Sequence, residues 1–261
     1  MLKYCTILAP IVSFPHGDNG EEKMQLPPEH INFGMCDIKP DPDVDPEILI
    51  KPPTEGFELH IEYDYPDKNI NYRPVCQGDD FDRNLETKRY PYPTEHVSMY
   101  HLRPTESFEY KSKTSERILI PDNGAHRPMW AAYGEYEYVP PSRYLHNLEH
   151  GAILFLYHPC ADKEQVEVFK ELARSCLWKH LISKWDVGLN STYPFGIVAW
   201  RNATVLSNVI SEDNQNFLVE FIKSKALMGG SREGRCWGNG GFTNQLIQHS
   251  KLVSGIMEHS V

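Results

Sequence analysis

The stretch Ala152-Ile153-Leu154-Phe155-Leu156-Tyr157 decides the fold class. It is an unbroken apolar run that ends before Pro159, and such a run is typical of a central strand covered on both faces. Asp162 stands three residues before Gln165, a spacing that caps the start of a helix. Apolar residues then recur at helical spacing as far as Cys176 and predict one face that packs on the sheet.

Two more strands and a second helix follow this unit. Residues 196–200 predict a strand, and residues 204–206 predict its hairpin partner across a turn at residues 201–203, in which Asn202 tolerates a left-handed conformation. Ser211 then caps a helix that ends before Gly229 and Gly230. The order strand, helix, strand, strand, helix predicts an α+β fold with helices packed on a mixed central sheet.

The first half of the chain is organised differently. Residues 1–14 combine one basic residue with a short apolar run and predict a secretory signal peptide, although a first strand of the mature fold is the alternative. Residues 15–116 are rich in Pro and Tyr and predict an extended arm with short strands at residues 58–63 and 97–102. We expect the α+β core domain over residues 117–261, with another short strand at residues 117–120.

Composition excludes some classes of partner. The chain has 261 residues, of which 26 are basic and 36 are acidic. This balance argues against binding to nucleic acid, because that affinity comes mainly from neutralising phosphates. Past residue 20, no apolar run approaches the roughly 20 residues of a membrane helix, so we expect no stable membrane insertion. The sequence does not indicate the oligomeric state or which small-molecule or peptide substrate the protein takes.

Cysteines and glycosylation motifs favour a secreted protein. Cys160 and Cys176 flank the first predicted helix, and we expect a disulfide between them, with two buried free thiols as the alternative. Asn-x-Thr motifs begin at Asn190 and Asn202 and would accept glycans in a secreted protein. With the predicted signal peptide, these features indicate an extracellular location.

The densest group of titratable residues is His146-Asn147-Leu148-Glu149-His150-Gly151. In a helical turn, His146 and His150 lie four residues apart on one face, within reach of a single metal ion. Glu149 is the candidate catalytic residue, because a carboxylate there could orient a ligand, bind the ion, or act as a base on metal-bound water.

A third metal ligand must come from elsewhere in the chain. The candidates are His126, in a loop bounded by Gly and Pro, and His158, just past the central strand; His96 and His101 are weaker candidates. Three imidazoles suit copper or zinc, so we expect one such ion as cofactor, with oxidation as the chemistry of copper and hydrolysis as that of zinc.

Two other interpretations stay open. In the first, the protein is a non-catalytic binding or structural module, and the His/Glu motif is a buried polar staple that joins a turn to the sheet. In the second, it is a metal-free hydrolase that uses Glu149 and a histidine, although no nucleophile motif accompanies them.

Over roughly residues 117–228, the chain resembles the domain of unknown function 3105 family. The resemblance rests on Gly124-x-His126, Trp130, Gly134-x-Tyr136, residues 145–151, Tyr157, Ala199-Trp200 and Phe221-Ile222. Residues 155–160 and Cys176 are more similar to the animal branch of that family. The resemblance implies an extracytoplasmic location, with the His-Asn-Leu-Glu-His-Gly motif as the hallmark, but it implies no settled activity. The chain shows no C-terminal transmembrane helix like that of the animal members, so we do not expect a membrane anchor.

Overall fold

Residues 61–65, 72–78, 81, 86–226 and 241–251 are described by the structure, a computed structural model. The predicted signal peptide and residues 15–60 of the predicted arm lie outside the described residues. The division between arm and core domain at residues 116 and 117 stays a prediction.

The described residues form seven strands and three α-helices, preceded by a 3-10 helix at Ile61–Asp64. In chain order the elements are β1 (Arg89–Tyr92), β2 (Gly134–Tyr136), α1 (Pro141–Glu149), β3 (Ile153–Tyr157), α2 (Lys163–Cys176), β4 (His180–Lys184), β5 (Phe195–Ala199), β6 (Asn202–Leu206), α3 (Glu212–Lys225) and β7 (Leu246–His249).

All seven strands belong to one sheet, in the order β1-β6-β5-β3-β4-β2-β7. The pairs β3–β4 and β2–β4 are parallel, whereas β1–β6, β5–β6, β3–β5 and β2–β7 are antiparallel. The sheet is therefore mixed and the helices pack on it, which confirms the predicted α+β class.

Both faces of β3 are buried, which explains its unbroken apolar sequence. On one face, Phe155 packs edge-on against Phe169 of α2, with ring centroids 5.2 Å apart, and α3 covers the same layer. On the other face, Leu154 lies in a second core with Leu148 of α1 and a cluster of tyrosines. Because α1 is clamped between this core and the preceding loops, every residue from Ser142 to Glu149 is buried.

The two predicted helix starts are present. The Asp162 side chain accepts a hydrogen bond from the Gln165 N–H, and the Ser211 side chain accepts one from the Asn214 N–H. The β5–β6 hairpin is also present, and in its turn Arg201, with φ +56°, rather than Asn202 adopts the left-handed conformation.

Some predicted strands do not form. Of the strand predicted at residues 58–63, the described part, residues 61–63, lies in the 3-10 helix. Residues 97–102 and 117–120 make only isolated bridges, through His101 and Arg117. Strand β4 was not predicted, because its sequence His-Leu-Ile-Ser-Lys is short and has polar residues at both ends.

The predicted Cys160–Cys176 disulfide is wrong. Cys160 is bonded to Cys76, with the Cα atoms 4.7 Å apart. The 14 residues of α2 separate Cys160 from Cys176 and span about 20 Å, which is too far for a disulfide. Cys176 is itself disulfide-bonded.

Candidate functional site

Helix α1 supplies two side chains of the candidate site. Pro141 occupies its first turn, where the missing N–H costs no hydrogen bond. His146 and Glu149 are three residues apart and therefore lie on the same face. The helix ends at Glu149 and is capped by His150, and Gly151, with φ +82°, turns the chain into β3.

Two more histidines reach the site from neighbouring loop segments. His101 and His126 face each other in an isolated parallel bridge. The His126 N–H donates to the Tyr100 carbonyl (3.0 Å), and the Leu102 N–H donates to the His126 carbonyl (2.8 Å). This backbone pairing fixes the two segments side by side and presents both imidazoles to α1.

Together, His101, His126, His146 and Glu149 form a group that could hold a metal ion, which we call the His/Glu cluster. Each residue offers one ligand atom, and these four atoms lie within 4.8 Å of one another. His126 and His146 are each 1% exposed, whereas His101 is partly exposed. The cluster therefore meets solvent on its His101 side.

The backbone sets the tautomers of the two buried histidines. Nδ1 of His126 lies 2.8 Å from the Gly124 carbonyl, and Nδ1 of His146 lies 2.8 Å from the Arg127 carbonyl. Because a carbonyl oxygen can only accept a hydrogen bond, each Nδ1 carries a proton, which leaves Nε2 of each ring as the nitrogen that could bind a metal ion. Histidine ligands of metal ions in proteins are held in this way.

His126 and Glu149 are in direct contact within the cluster. Nε2 of His126 lies 3.0 Å from Oε2 of Glu149, yet this buried nitrogen has no hydrogen-bond partner among the described residues. A lone pair and a carboxylate oxygen repel each other at this distance unless a proton or a metal ion lies between them.

Burial and the neighbouring histidines set the charges in the cluster. Burial, reinforced by His126, His150 and His101, holds the pKa of His146 well below 6.5. For Glu149, burial raises the pKa, but the contact with His126 and the neighbouring His150 outweigh burial and lower it overall. A neutral imidazole and an ionised carboxylate are the forms that bind metals.

Trp130 adds a hydrogen-bond donor beside the cluster. Its ring centroid lies 5.1 Å from that of His146, and its buried Nε1–H has no acceptor among the described residues. The rest of this segment is fixed, because Asn147 exchanges two hydrogen bonds with the backbone of Ala131. Asn147 of the motif thus has a structural role.

The structure separates the histidines that the sequence grouped. His126, His146 and Glu149 lie in the His/Glu cluster. His150 does not lie in the cluster, although its ring centroid is 4.9 Å from that of His146. Burial, partly opposed by Glu149, lowers the pKa of His150 to about 4. His158 lies beyond the far end of β3, roughly 20 Å from the motif, where its Nδ1 accepts a hydrogen bond from the Cys160 N–H.

His101, which the sequence analysis named as a weaker candidate, lies in the His/Glu cluster. Only its residue type pointed to it, because the backbone pairing that brings it to His126 leaves no pattern in the sequence. The individual ligand assignments remain predictions.

The fold and the cluster define a class of protein: an α+β domain whose mixed sheet supports a buried group of three histidines and one glutamate. The family described as "Protein of unknown function (DUF3105)" matches residues 101–235, and the chain belongs to that family. No curated protein and no solved structure matches the chain.

Proposed function

We propose that the protein binds one transition-metal ion, copper or zinc, through His101, His126, His146 and Glu149. The observation that carries this proposal is that four ligand atoms of these residues lie within 4.8 Å of one another, with Nε2 of His126 3.0 Å from the Glu149 carboxylate. Three imidazoles favour copper or zinc over magnesium or calcium, which prefer oxygen ligands.

The spacing of the ligand atoms fits this proposal. Four ligands with bonds of about 2.1 Å lie about 3.4 Å apart around a tetrahedral ion. The ligand atoms of the cluster are up to 4.8 Å apart, so they must approach one another by up to about 1.4 Å to bind the ion at this spacing. Rotation of the partly exposed His101 side chain supplies part of this movement.

The chemistry would depend on the metal. Copper would supply electron transfer, and zinc would polarise a bound water or a substrate oxygen. We propose a metal-dependent oxidoreductase or hydrolase in which Glu149 is either a ligand or, if displaced by a water, a base. A small-molecule or peptide substrate would approach from the His101 side.

The test is metal content and affinity. Purified protein is dialysed against a chelator and titrated with Zn²⁺ or Cu²⁺ by calorimetry, and elemental analysis gives the metal bound per chain. His146→Asn is the decisive variant, because its amide can still donate to the Arg127 carbonyl but it has no Nε2 lone pair. His96→Gln, at an exposed histidine, is the matched control.

We expect one ion per chain in the wild type and in His96→Gln, and none in His146→Asn. Equal metal content in all three proteins, or no metal in the wild type, contradicts the proposal.

A polar staple is the second candidate, because the same side chains tie separate segments together. His146 bonds the Arg127 carbonyl and Asn147 bonds the backbone of Ala131, so α1 is joined to the loop before β2. The staple predicts equal melting temperatures with and without chelator. Metal binding predicts a higher melting temperature for the loaded protein, since a ligand of the native state stabilises it.

We further propose an extracellular location with a glycan on Asn190. The Cys76–Cys160 disulfide supports it, because such bonds persist in oxidising compartments. Asn190 is exposed in the loop before β5, whereas Asn202 begins β6 and is followed by buried Ala203. Within the described part of the chain, no helix is both long and apolar enough to cross a bilayer.

The glycan is tested by expression through a eukaryotic secretory pathway. We expect glycosidase treatment to shift the mobility of the wild type and of Asn202→Gln, but not that of Asn190→Gln. Absence of the protein from the medium, or of any shift in the wild type, contradicts the proposal.

A further inference from the structure

Asp64 is a buried carboxylate with three donors. Its side chain is fully buried and accepts hydrogen bonds from Nε of Arg127 (2.8 Å), Nε of Arg143 (2.8 Å) and Oγ of Ser142 (2.9 Å). Both arginine side chains are almost completely buried as well. One carboxylate therefore serves as counterion for two buried guanidinium groups, an arrangement that is costly to break from either side.

Arg127 joins this ion cluster to the three histidines of the His/Glu cluster. It directly follows His126, and its carbonyl accepts the hydrogen bond from Nδ1 of His146. Its guanidinium donates to the carbonyls of Arg103 and Glu106, in the segment that begins with His101. The side chain of a single arginine thus ties together the segments that carry His101 and His126, while its backbone orients His146.

Arg143 holds the opposite side of the same carboxylate. It lies on α1, three residues before His146, and also donates to the Met129 carbonyl (2.9 Å). Burial lowers the pKa of Arg143, and Asp64 opposes that effect. Asp64 therefore clamps α1, which carries His146 and Glu149, to the loop that carries His126.

Asp64 does not come from the part of the chain that defines the family. The family matches residues 101–235, whereas Asp64 lies in the 3-10 helix Ile61–Asp64. The segment before the family domain thus supplies the charge that neutralises two arginines inside it.

We propose that Asp64 is a positioning residue for the His/Glu cluster, and that the 3-10 helix Ile61–Asp64 completes a metal site whose ligands all lie in the family domain. This inference rests on the proposed metal-binding function. Without the carboxylate, Arg127 and Arg143 repel each other, and the three ligand-bearing segments lose their common anchor.

The test compares metal affinity in two full-length variants that each lose a buried carboxylate charge. Asp64→Asn keeps the shape of the side chain but removes its charge. Glu135→Gln is the matched control: Glu135 is also buried and paired with two cations, Lys170 and Arg174, but it lies on β2 and contacts no member of the His/Glu cluster. Both variants are expected to melt at lower temperature than the wild type.

Only Asp64→Asn should weaken metal binding. Zn²⁺ affinity is measured by competition with a chromophoric chelator, and the visible spectrum of the Co²⁺-loaded protein reports the ligand geometry. We expect a loss of about tenfold or more in affinity and an altered Co²⁺ spectrum for Asp64→Asn, as for other outer partners of metal ligands. Glu135→Gln should bind within about twofold of the wild type, as expected for a distant, independent site.

Arg127→Lys provides the second variant if Asp64→Asn does not fold. This variant keeps the positive charge and the backbone carbonyl but loses the paired guanidinium N–H groups that donate to the carbonyls of Arg103 and Glu106. It should therefore also bind Zn²⁺ about tenfold more weakly. Wild-type affinity in whichever of these variants folds would overturn the inference while leaving the metal site intact. A wild-type protein that binds no metal would remove both proposals.

Discussion

Acid should destabilise the fold through His180, a buried histidine outside the His/Glu cluster. His180 begins β4, is 2% exposed, and donates from Nδ1 to the Leu177 carbonyl. Burial lowers its pKa from 6.5 to about 4; nearby Arg174 acts in the same direction, while the hydrogen bond to Leu177 and the charge of Glu135 oppose it. The perturbation is a change of pH from 7.5 to 5.0, compared between the wild type and His180→Asn.

The sign and size follow from the two pKa values. The unfolded chain takes up a proton on this histidine as the pH falls below 6.5, whereas the folded protein does so only near pH 4. The stability that depends on neutral His180 is therefore fully present above pH 6.5 and is lost as the pH falls from 6.5 to about 4. The loss attributable to His180 is about 2 kcal/mol at pH 5.0 and about 3 kcal/mol once the pH is below 4.

The assay is urea unfolding followed by tryptophan fluorescence at both pH values, with chelator present so that metal binding does not contribute. Asparagine can keep the hydrogen bond to the Leu177 carbonyl but does not titrate. His180→Asn should therefore lose about 2 kcal/mol less than the wild type on acidification. An equal loss in the two proteins would refute the reasoning, whatever the other buried histidines contribute.

Two further predictions concern the scaffold. Replacing Cys76 and Cys160 together by alanine should lower the free energy of unfolding by about 4.5 kcal/mol, because the disulfide closes a loop with a sequence separation of 84. Denaturation in urea measures the loss, and peptide mapping under non-reducing conditions checks the pairing. Arg201→Gly should raise the melting temperature and stabilise the fold by roughly 1 kcal/mol, because Arg201 is exposed and strained at φ +56°. An unchanged or lower melting temperature would contradict the second prediction.

Local sequence patterns were sufficient for the centre of the sheet and its helices. The apolar run at residues 152–157 identified β3, because a strand covered on both faces has no polar positions to alternate. Asp162 and Ser211 identified the starts of α2 and α3, because capping bonds join residues three apart. These signals are read within one turn or one strand, so no knowledge of the tertiary structure is needed.

Local sequence patterns predicted only part of the candidate site. The sequence brings His146 and Glu149 together, because the spacing of a helix fixes which side chains share a face. It also suggested His150 and His158, which the structure places outside the His/Glu cluster. It gave little weight to His101, which reaches the site only through backbone pairing with His126.

The sequence by itself determined the class of fold, the helix that carries the motif, and the residue types able to bind a metal. The tertiary structure alone decided that Cys160 pairs with Cys76, that His101 joins His126, and that Asp64 neutralises two arginines of the family domain. The physical reason is the range of the interactions. Capping and helical spacing act over three or four residues, whereas these contacts join residues that are distant in the sequence.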